Sequence, residues 1–285
     1  MIREKTVRFG KSAPLNGVIT EPEKIENNRP ALIILNSGIM HRIGACRMSV
    51  KIARHTAEAG VLCLRFDHAG IGDSEARRGT ASFEQTAPQE VIDAMDYLEQ
   101  TKKVKRFVLY GLCSGADMSF EAAKIDERVV GVIQIDAYAY RTFKYYLYYY
   151  LPRMMEFSVW FNFILNRLPI ILGLKKKKTD SSSLGEENME LPSYVRDFPA
   201  QAYVAEGLEG LVNRAVHLYF IFTAGQQDCI NHQGQLREMF PHINFKYLLK
   251  ETYLSDSSHI IKEPHNQKYV VEGIKNWVLA LPKSY

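Results

Sequence analysis

The stretch Tyr110-Gly111-Leu112-Cys113-Ser114-Gly115-Ala116 constrains this chain more than any other. It follows Phe107-Val108-Leu109-Tyr110, an apolar run that reads as a strand, and precedes a helical pattern through Met118, Phe120, Ala122, Ala123 and Ile125. A strand passing through glycine-x-nucleophile-x-glycine into a helix must turn sharply, and residues without a Cβ let the neighbouring segments close in. The middle residue is then held on a strained turn with its side chain presented at the sheet's edge. Here that residue is Cys113. Ser114 comes one position late, so its hydroxyl is expected to point elsewhere while its backbone N–H faces a reacting carbonyl. Cysteine is also among the most frequently buried side chains. The flanking strand and helix patterns are what weigh against an inert core thiol.

The rest of the chain supplies a frame for such a turn. Thr6 to Phe9 and Gly17 to Thr20 read as short opening strands, and Ala31 to Leu35 as a central strand covered on both faces. A loop from Asn36 to Arg42 leads to a helix from about Arg47 to Ala59, then a buried strand from Val61 to Phe66. A helix from about Pro88 to Gln100 carries Val91, Ile92, Met95 and Leu98 on one stripe. Val129 to Ile135 and His217 to Thr223 read as further buried strands, followed by a strand near Phe245 to Leu249 and a closing helix from about His265 to Leu279. Alternation of this kind predicts an α/β fold with a mostly parallel sheet and helices on both faces. The pattern breaks between 137 and 214, so residues 1–136 and 215–285 are expected to form the core and 137–214 an insertion.

A thiol needs a base to become a thiolate near neutral pH, and the base needs an orienting group. Asp228, in the turn after the 217–223 strand, and His259, in the polar loop before the last helix, stand in the chain order nucleophile, acid, base. Asp136, at the end of the strand after the elbow helix, is the competing acid; Asp256 is too close to His259 in sequence to be favoured. A loop histidine or aspartate alone is usually a solvated or turn residue. The ordered set is the informative signal. An oxyanion needs two preorganised donors. The Ser114 N–H, at the positive end of the elbow helix, is one; the other is expected from Gly38 or Ile39. His41 and Arg42 follow closely; Arg42 could clamp a substrate carboxylate or phosphate, although a surface arginine of this kind more often pairs with a neighbouring carboxylate.

Composition narrows the function classes. A net charge of +4 over 285 residues gives no argument for nucleic acid. The cysteines at 46, 63, 113 and 229 show no C-x-x-C and no metal-ligand spacing, so neither metal nor cofactor is expected. The charged start Met1-Ile2-Arg3-Glu4-Lys5 carries no secretory pattern, and a reduced cytoplasmic setting is expected, where a free thiolate persists.

With these residues in place the chain resembles the α/β-hydrolase superfamily over nearly its whole length. Asn36-x-Gly38-x-x-His41-Arg42, Arg65-Phe66-Asp67-x-x-Gly70-x-Gly72-Asp73-Ser74 and Gly111-Leu112-Cys113-Ser114-Gly115-Ala116 look like a bacterial branch associated with exosortase and exopolysaccharide gene clusters. Cysteine at the elbow is also similar to dienelactone hydrolases and polyhydroxyalkanoate synthases. The former resemblance implies hydrolysis of an activated ester, the latter acyl transfer from a thioester. The usual His-Gly oxyanion dipeptide is replaced here by Ser37-Gly38. The resemblance also implies that the insertion is a helical lid.

Within that insertion Tyr138, Tyr140, Tyr145, Tyr146, Tyr148, Tyr149 and Tyr150 precede Phe157, Trp160, Phe161, Phe163 and Ile164. Aromatics at helical spacing, Tyr145 and Tyr149 among them, could line an acyl or aromatic pocket, although most will simply pack the lid onto the body. The apolar run from Phe157 to Leu174 is interrupted by Asn162, Asn166, Arg167 and Pro169, which excludes a spanning helix. Lys175 to Lys178 leave peripheral contact with anionic headgroups open. The expectation is an acyl-ester or acyl-thioester hydrolase working through Cys113, His259 and Asp228. The alternatives are an acyltransferase drawing on a carrier-protein or coenzyme A thioester, and a silent binding protein of the same fold.

Overall fold

The computed structural model describes residues 1–283 apart from 12, 27, 78, 79, 81, 155–195 and 197. Its sheet has eight strands in the order β1-β2-β4-β3-β5-β6-β7-β8. They are β1 (Arg3–Phe9), β2 (Leu15–Glu21), β3 (Ala31–Ile34), β4 (Cys63–Phe66), β5 (Phe107–Leu112), β6 (Val129–Ile135), β7 (His217–Thr223) and β8 (Leu249–Leu254). The opening hairpin is antiparallel and β2 also runs antiparallel to β4; every other pairing is parallel. From β3 the chain steps outward to β4, then returns to place β5 on β3's other side. Loops leaving β3 and β5 therefore diverge, and a crevice opens between them at the strands' carboxyl ends.

Helices cover both faces. On one, α1 (Met48–Glu58) packs against the closing helix Pro264–Ala280, over Leu32, Ile34, Val108, Tyr110, Ile133 and Ile221. On the other lie α2 (Phe83–Lys102) and α3 (Ser114–Ile125), over Ile33, Leu64, Phe107, Leu109 and Val132. Side chains of this size contribute roughly 2 kcal/mol each on full burial, which is why the central strands are apolar on both faces.

The expected strands and helices recur with three differences. Helix α2 begins at Phe83 rather than near Pro88, because Ser82 and Gln85 form a capping box that starts it earlier; Pro88 then sits inside the helix. The last strand is Leu249–Leu254, later than the expected 245–249, while Phe245 is fully buried in the core from the turn before it. The expected insertion ran to 214, yet Gln201–Asn213 is a helix packed on α3, with Val204, Ala205, Leu208 and Leu211 in the body's core. That helix is the β6–β7 crossover of the body. In chain order it follows α4 (Phe143–Met154) and is α5; α6 is Gln235–Met239 and the closing helix is α7. The expected lid aromatics from Phe157 to Ile164 and the lysines 175–178 lie outside the described residues. No described helix is long and apolar enough to cross a membrane.

Candidate active site

Cys113 sits between β5 and α3 at φ 55°, ψ −121°, a conformation that L side chains rarely adopt. The turn is locked from both sides. Its N–H donates to the Ile135 carbonyl at 2.9 Å, and its carbonyl accepts the Ala116 and Asp117 N–H groups at 2.9 and 3.2 Å. The flanking glycines are required by space. A Cβ on Gly111 would lie 2.0 Å from the Gly115 carbonyl carbon, and one on Gly115 would lie 2.2 Å from the Asn36 oxygen. The end of β3, the end of β5 and the start of α3 can therefore meet only without side chains. The thiol is left half-buried at the crevice floor, at the positive end of α3.

His259 is within hydrogen-bonding reach of Cys113. Its Nδ1 bonds Asp136 Oδ2 at 2.6 Å, leaving Nε2 for the sulfur. Asp136 is fully buried, and its carboxylate also accepts the Thr223 N–H and the Thr223 hydroxyl, both at 2.7 Å. A carboxylate with its lone pairs taken by fixed donors has one orientation, and it fixes the imidazole in turn. His259 is brought in by a bare turn after β7: a Cβ on Gly225 would fall 2.3 Å from the His259 nitrogen.

This arrangement corrects the expected orienting acid. Asp228 is exposed, and its carbonyl, rather than its carboxylate, is engaged, accepting from Arg141 Nε–H at 2.7 Å and the Tyr145 hydroxyl at 3.1 Å. The short 3-10 turn Ala224–Gln226 carries the chain past His259 before the aspartate arrives. Asp136 reaches the imidazole because it leaves β6 in a left-handed conformation, φ 49°, directly beside Cys113's strand.

The electrostatics favour a charged sulfur. Burial pushes the Cys113 thiol up, but contact with His259, the Arg196 charge and the Ser114 N–H outweigh it and leave the thiol below its ordinary value. His259 is raised to about 10 by its hydrogen bond to Asp136 and then by Cys113, against its own burial. Lowered thiol and raised imidazole are the two halves of one ion pair.

The oxyanion donors differ in part from expectation. The Ser114 N–H faces the sulfur at the helix start. The Gly38 N–H, however, donates to Ser114 Oγ at 2.7 Å and is therefore occupied. The next residue, Ile39, is 86% exposed at the tip of the same turn, with its amide uncommitted among the described residues.

Arg42 is not a substrate clamp here. Its guanidinium pairs with Asp67, which is fully buried, and with Asp73, tying the loop after β3 to the glycine-rich turn after β4. Asp67 also accepts the Arg42 backbone N–H at 2.5 Å. His41 is exposed and borders a narrow cavity of about 20 Å³ walled by Met40, Met48, Leu112, Ile260 and Ile261. Tyr145 is buried, its hydroxyl spent on the Gln227 and Asp228 carbonyls, and Tyr149 stacks on it at 6.0 Å. Tyr145 therefore anchors α4 to the loop after β7. Arg196, which sequence reasoning missed, lies against Asp117 and the Asp136 carbonyl. Among the described residues no cluster of His, Cys, Asp or Glu could hold a metal ion.

No family model matches the chain. A polyketide transferase of Penicillium, GrgF, is 33% identical over 88 residues; the match spans 30% of this chain and 29% of that protein. The GrgF structure superposes over 98% of this chain and 100% of its own at a TM-score of 0.55 and 14% identity. An esterase of Pyrococcus furiosus superposes over 98% and 91%, at 0.60 and 14%. A serine hydrolase homologue of Coxiella burnetii superposes over 96% of both chains, at 0.56 and 14%. The chain has the α/β-hydrolase fold.

Proposed function

We propose that this protein is an acyl-transfer enzyme in which Cys113 is the nucleophile, His259 the general base and acid, and Asp136 the group that orients the imidazole. The observation that carries the reading is the continuous contact from a cysteine on a strained elbow, through His259, to a buried carboxylate. A core thiol would need neither the strain nor the partner. Support from likeness is the short match to a polyketide transferase and the overall fold shared with an esterase.

The Cys113 thiolate attacks the acyl carbonyl; a C–S bond forms and the π pair moves onto oxygen, toward the Ser114 and Ile39 amides. The intermediate collapses, and the leaving group departs with the proton from His259 Nε2. A second nucleophile then gives its proton to His259, attacks the acyl-thioenzyme, and returns Cys113 as thiolate. Water as that nucleophile makes the enzyme a hydrolase; an alcohol, amine or thiol makes it a transferase. Thiolate suits activated donors, an ester or a thioester on a carrier protein or coenzyme A, because a thiolate is itself a good leaving group. The half-buried thiol and the polyketide-transferase relative favour transfer.

Intact-mass spectrometry after mixing with a panel of N-acetylcysteamine acyl thioesters tests the reading. An adduct of one acyl mass, mapped to Cys113 and absent in Cys113→Ala, is expected. Acyl groups mapped elsewhere, or none with any donor, would favour the silent binding protein.

A further inference from the structure

Arg196 places a buried charge where the Cys113–His259–Asp136 chain does not itself need one. Its Nε–H donates to Asp117 Oδ2 at 2.7 Å, its Nη2 pairs with the other carboxylate oxygen, and its Nη1–H donates to the Asp136 carbonyl at 2.7 Å. Asp117 lies in the first turn of α3, one turn beyond Cys113, with its amide on the Cys113 carbonyl. Asp136 is the residue whose carboxylate holds His259. One guanidinium thus spans the turn that carries the sulfur and the turn that carries the acid. The Tyr138 and Phe198 rings close around it, 5.3 and 4.9 Å from the guanidinium carbon.

We propose that Arg196 is a positioning residue: it clamps the nucleophile turn to the acid turn and, with Asp117, forms a balanced charge pair beside Cys113 that governs how readily the sulfur ionises. The inference rests on Cys113 being the nucleophile. Arginine suits the task because its rigid fork meets two carboxylate oxygens and a carbonyl at once, which an ammonium group does not. Side-chain exposures of 15% for Arg196 and 6% for Asp117 keep the pair out of bulk water, so its field is weakly screened. Arg196 favours the thiolate, and the Asp117 carboxylate paired with it in the first turn of α3 carries the opposite charge. Removing either charge alone leaves the other uncompensated next to the sulfur; removing both restores the balance.

The experiment is iodoacetamide alkylation of the full-length protein against pH, read by peptide mass spectrometry so that Cys113 is followed apart from Cys46 and Cys229. Arg196→Gln is expected to raise the Cys113 midpoint by about one pH unit, a tenfold loss of thiolate below it. Asp117→Asn is expected to lower the midpoint, and the double variant to return within about half a unit of the parent. Arg196→Lys keeps the charge and loses the fork, so its midpoint stays near the parent while acyl transfer falls. Identical midpoints throughout, or shifts all in one direction as simple loosening would give, overturn the charge-balance role. A parent Cys113 that titrates like an ordinary thiol would instead overturn the acyl-transfer reading, and this inference with it.

Discussion

The Ser114 hydroxyl accepts the Gly38 N–H at 2.7 Å, so the residue after the sulfur holds the opposite wall of its own crevice. Ser114→Ala frees that amide and loosens the turn that presents Ile39. Acyl-transfer kinetics should show turnover falling about tenfold with KM little changed, while Cys113 alkylation keeps its pH profile. A change in KM alone would place the turn outside the reacting centre.

Asp136→Asn keeps the shape but replaces one acceptor oxygen with an amide, so His259 loses the partner that sets its tautomer. Turnover should drop by roughly a thousandfold or more. Asp228→Asn, altered at an exposed carboxylate, should stay within about twofold of the parent. The reverse ranking would restore the acid expected from chain order.

The ion pair predicts a specific pH dependence of stability. His259 is raised from its ordinary value to about 10, so the stabilisation it brings is complete below the unfolded value and is lost as pH rises through about 10. In a Cys113→Ala background, where no thiol proton is exchanged on folding, the gap in urea midpoint between the protein with His259 and its His259→Asn variant should therefore narrow as pH rises from neutral. A gap that widens over that range would mean His259 is neutral in the folded protein.

Gly225→Ala puts a methyl group 2.3 Å from the His259 nitrogen and 2.6 Å from its Cα and Cβ. The loop after β8 must move, and the imidazole with it. Circular dichroism should remain close to the parent while acyl transfer is lost by about a hundredfold. Retained activity would mean His259 is not needed where it stands.

Arg42→Gln removes the cation from a fully buried aspartate. Denaturation should show a loss of about 3 kcal/mol, since an uncompensated buried charge is left behind. Residual activity should retain the parental KM for acidic and neutral acyl donors alike. A KM effect confined to acidic donors would return Arg42 to the role of substrate clamp.

What could be read in advance divides along the range of the interactions. Cys113 was legible because its signal is local: two glycines, a strand before and a helix after. His259 followed from chain order. The acid was not, because Asp136 and Asp228 both follow parallel strands, and the choice depends on a left-handed turn at one and a 3-10 turn at the other. Arg196 left no local trace, since its contact with Asp117 spans 79 residues. Arg42 pairs with a carboxylate, the commoner role for such a residue, but that its partner is Asp67, 25 residues away and buried by the turn that Gly72 permits, left no local trace. The last strand is hard to place from sequence because it carries Lys250 and Glu251 near its start and buries Thr252 and Leu254, whereas the more apolar Phe245 and Leu248 fill the core from a turn.

Strand order has a consequence for how the protein fails under stress. The sulfur leaves β5, with four strands on one side and three on the other, whereas the imidazole follows β8 at the rim. Rims of sheets fray at a lower free energy than interiors. Gentle warming will therefore swing the base away while the sulfur's turn is still intact, and catalysis will be extinguished several degrees before the ellipticity is.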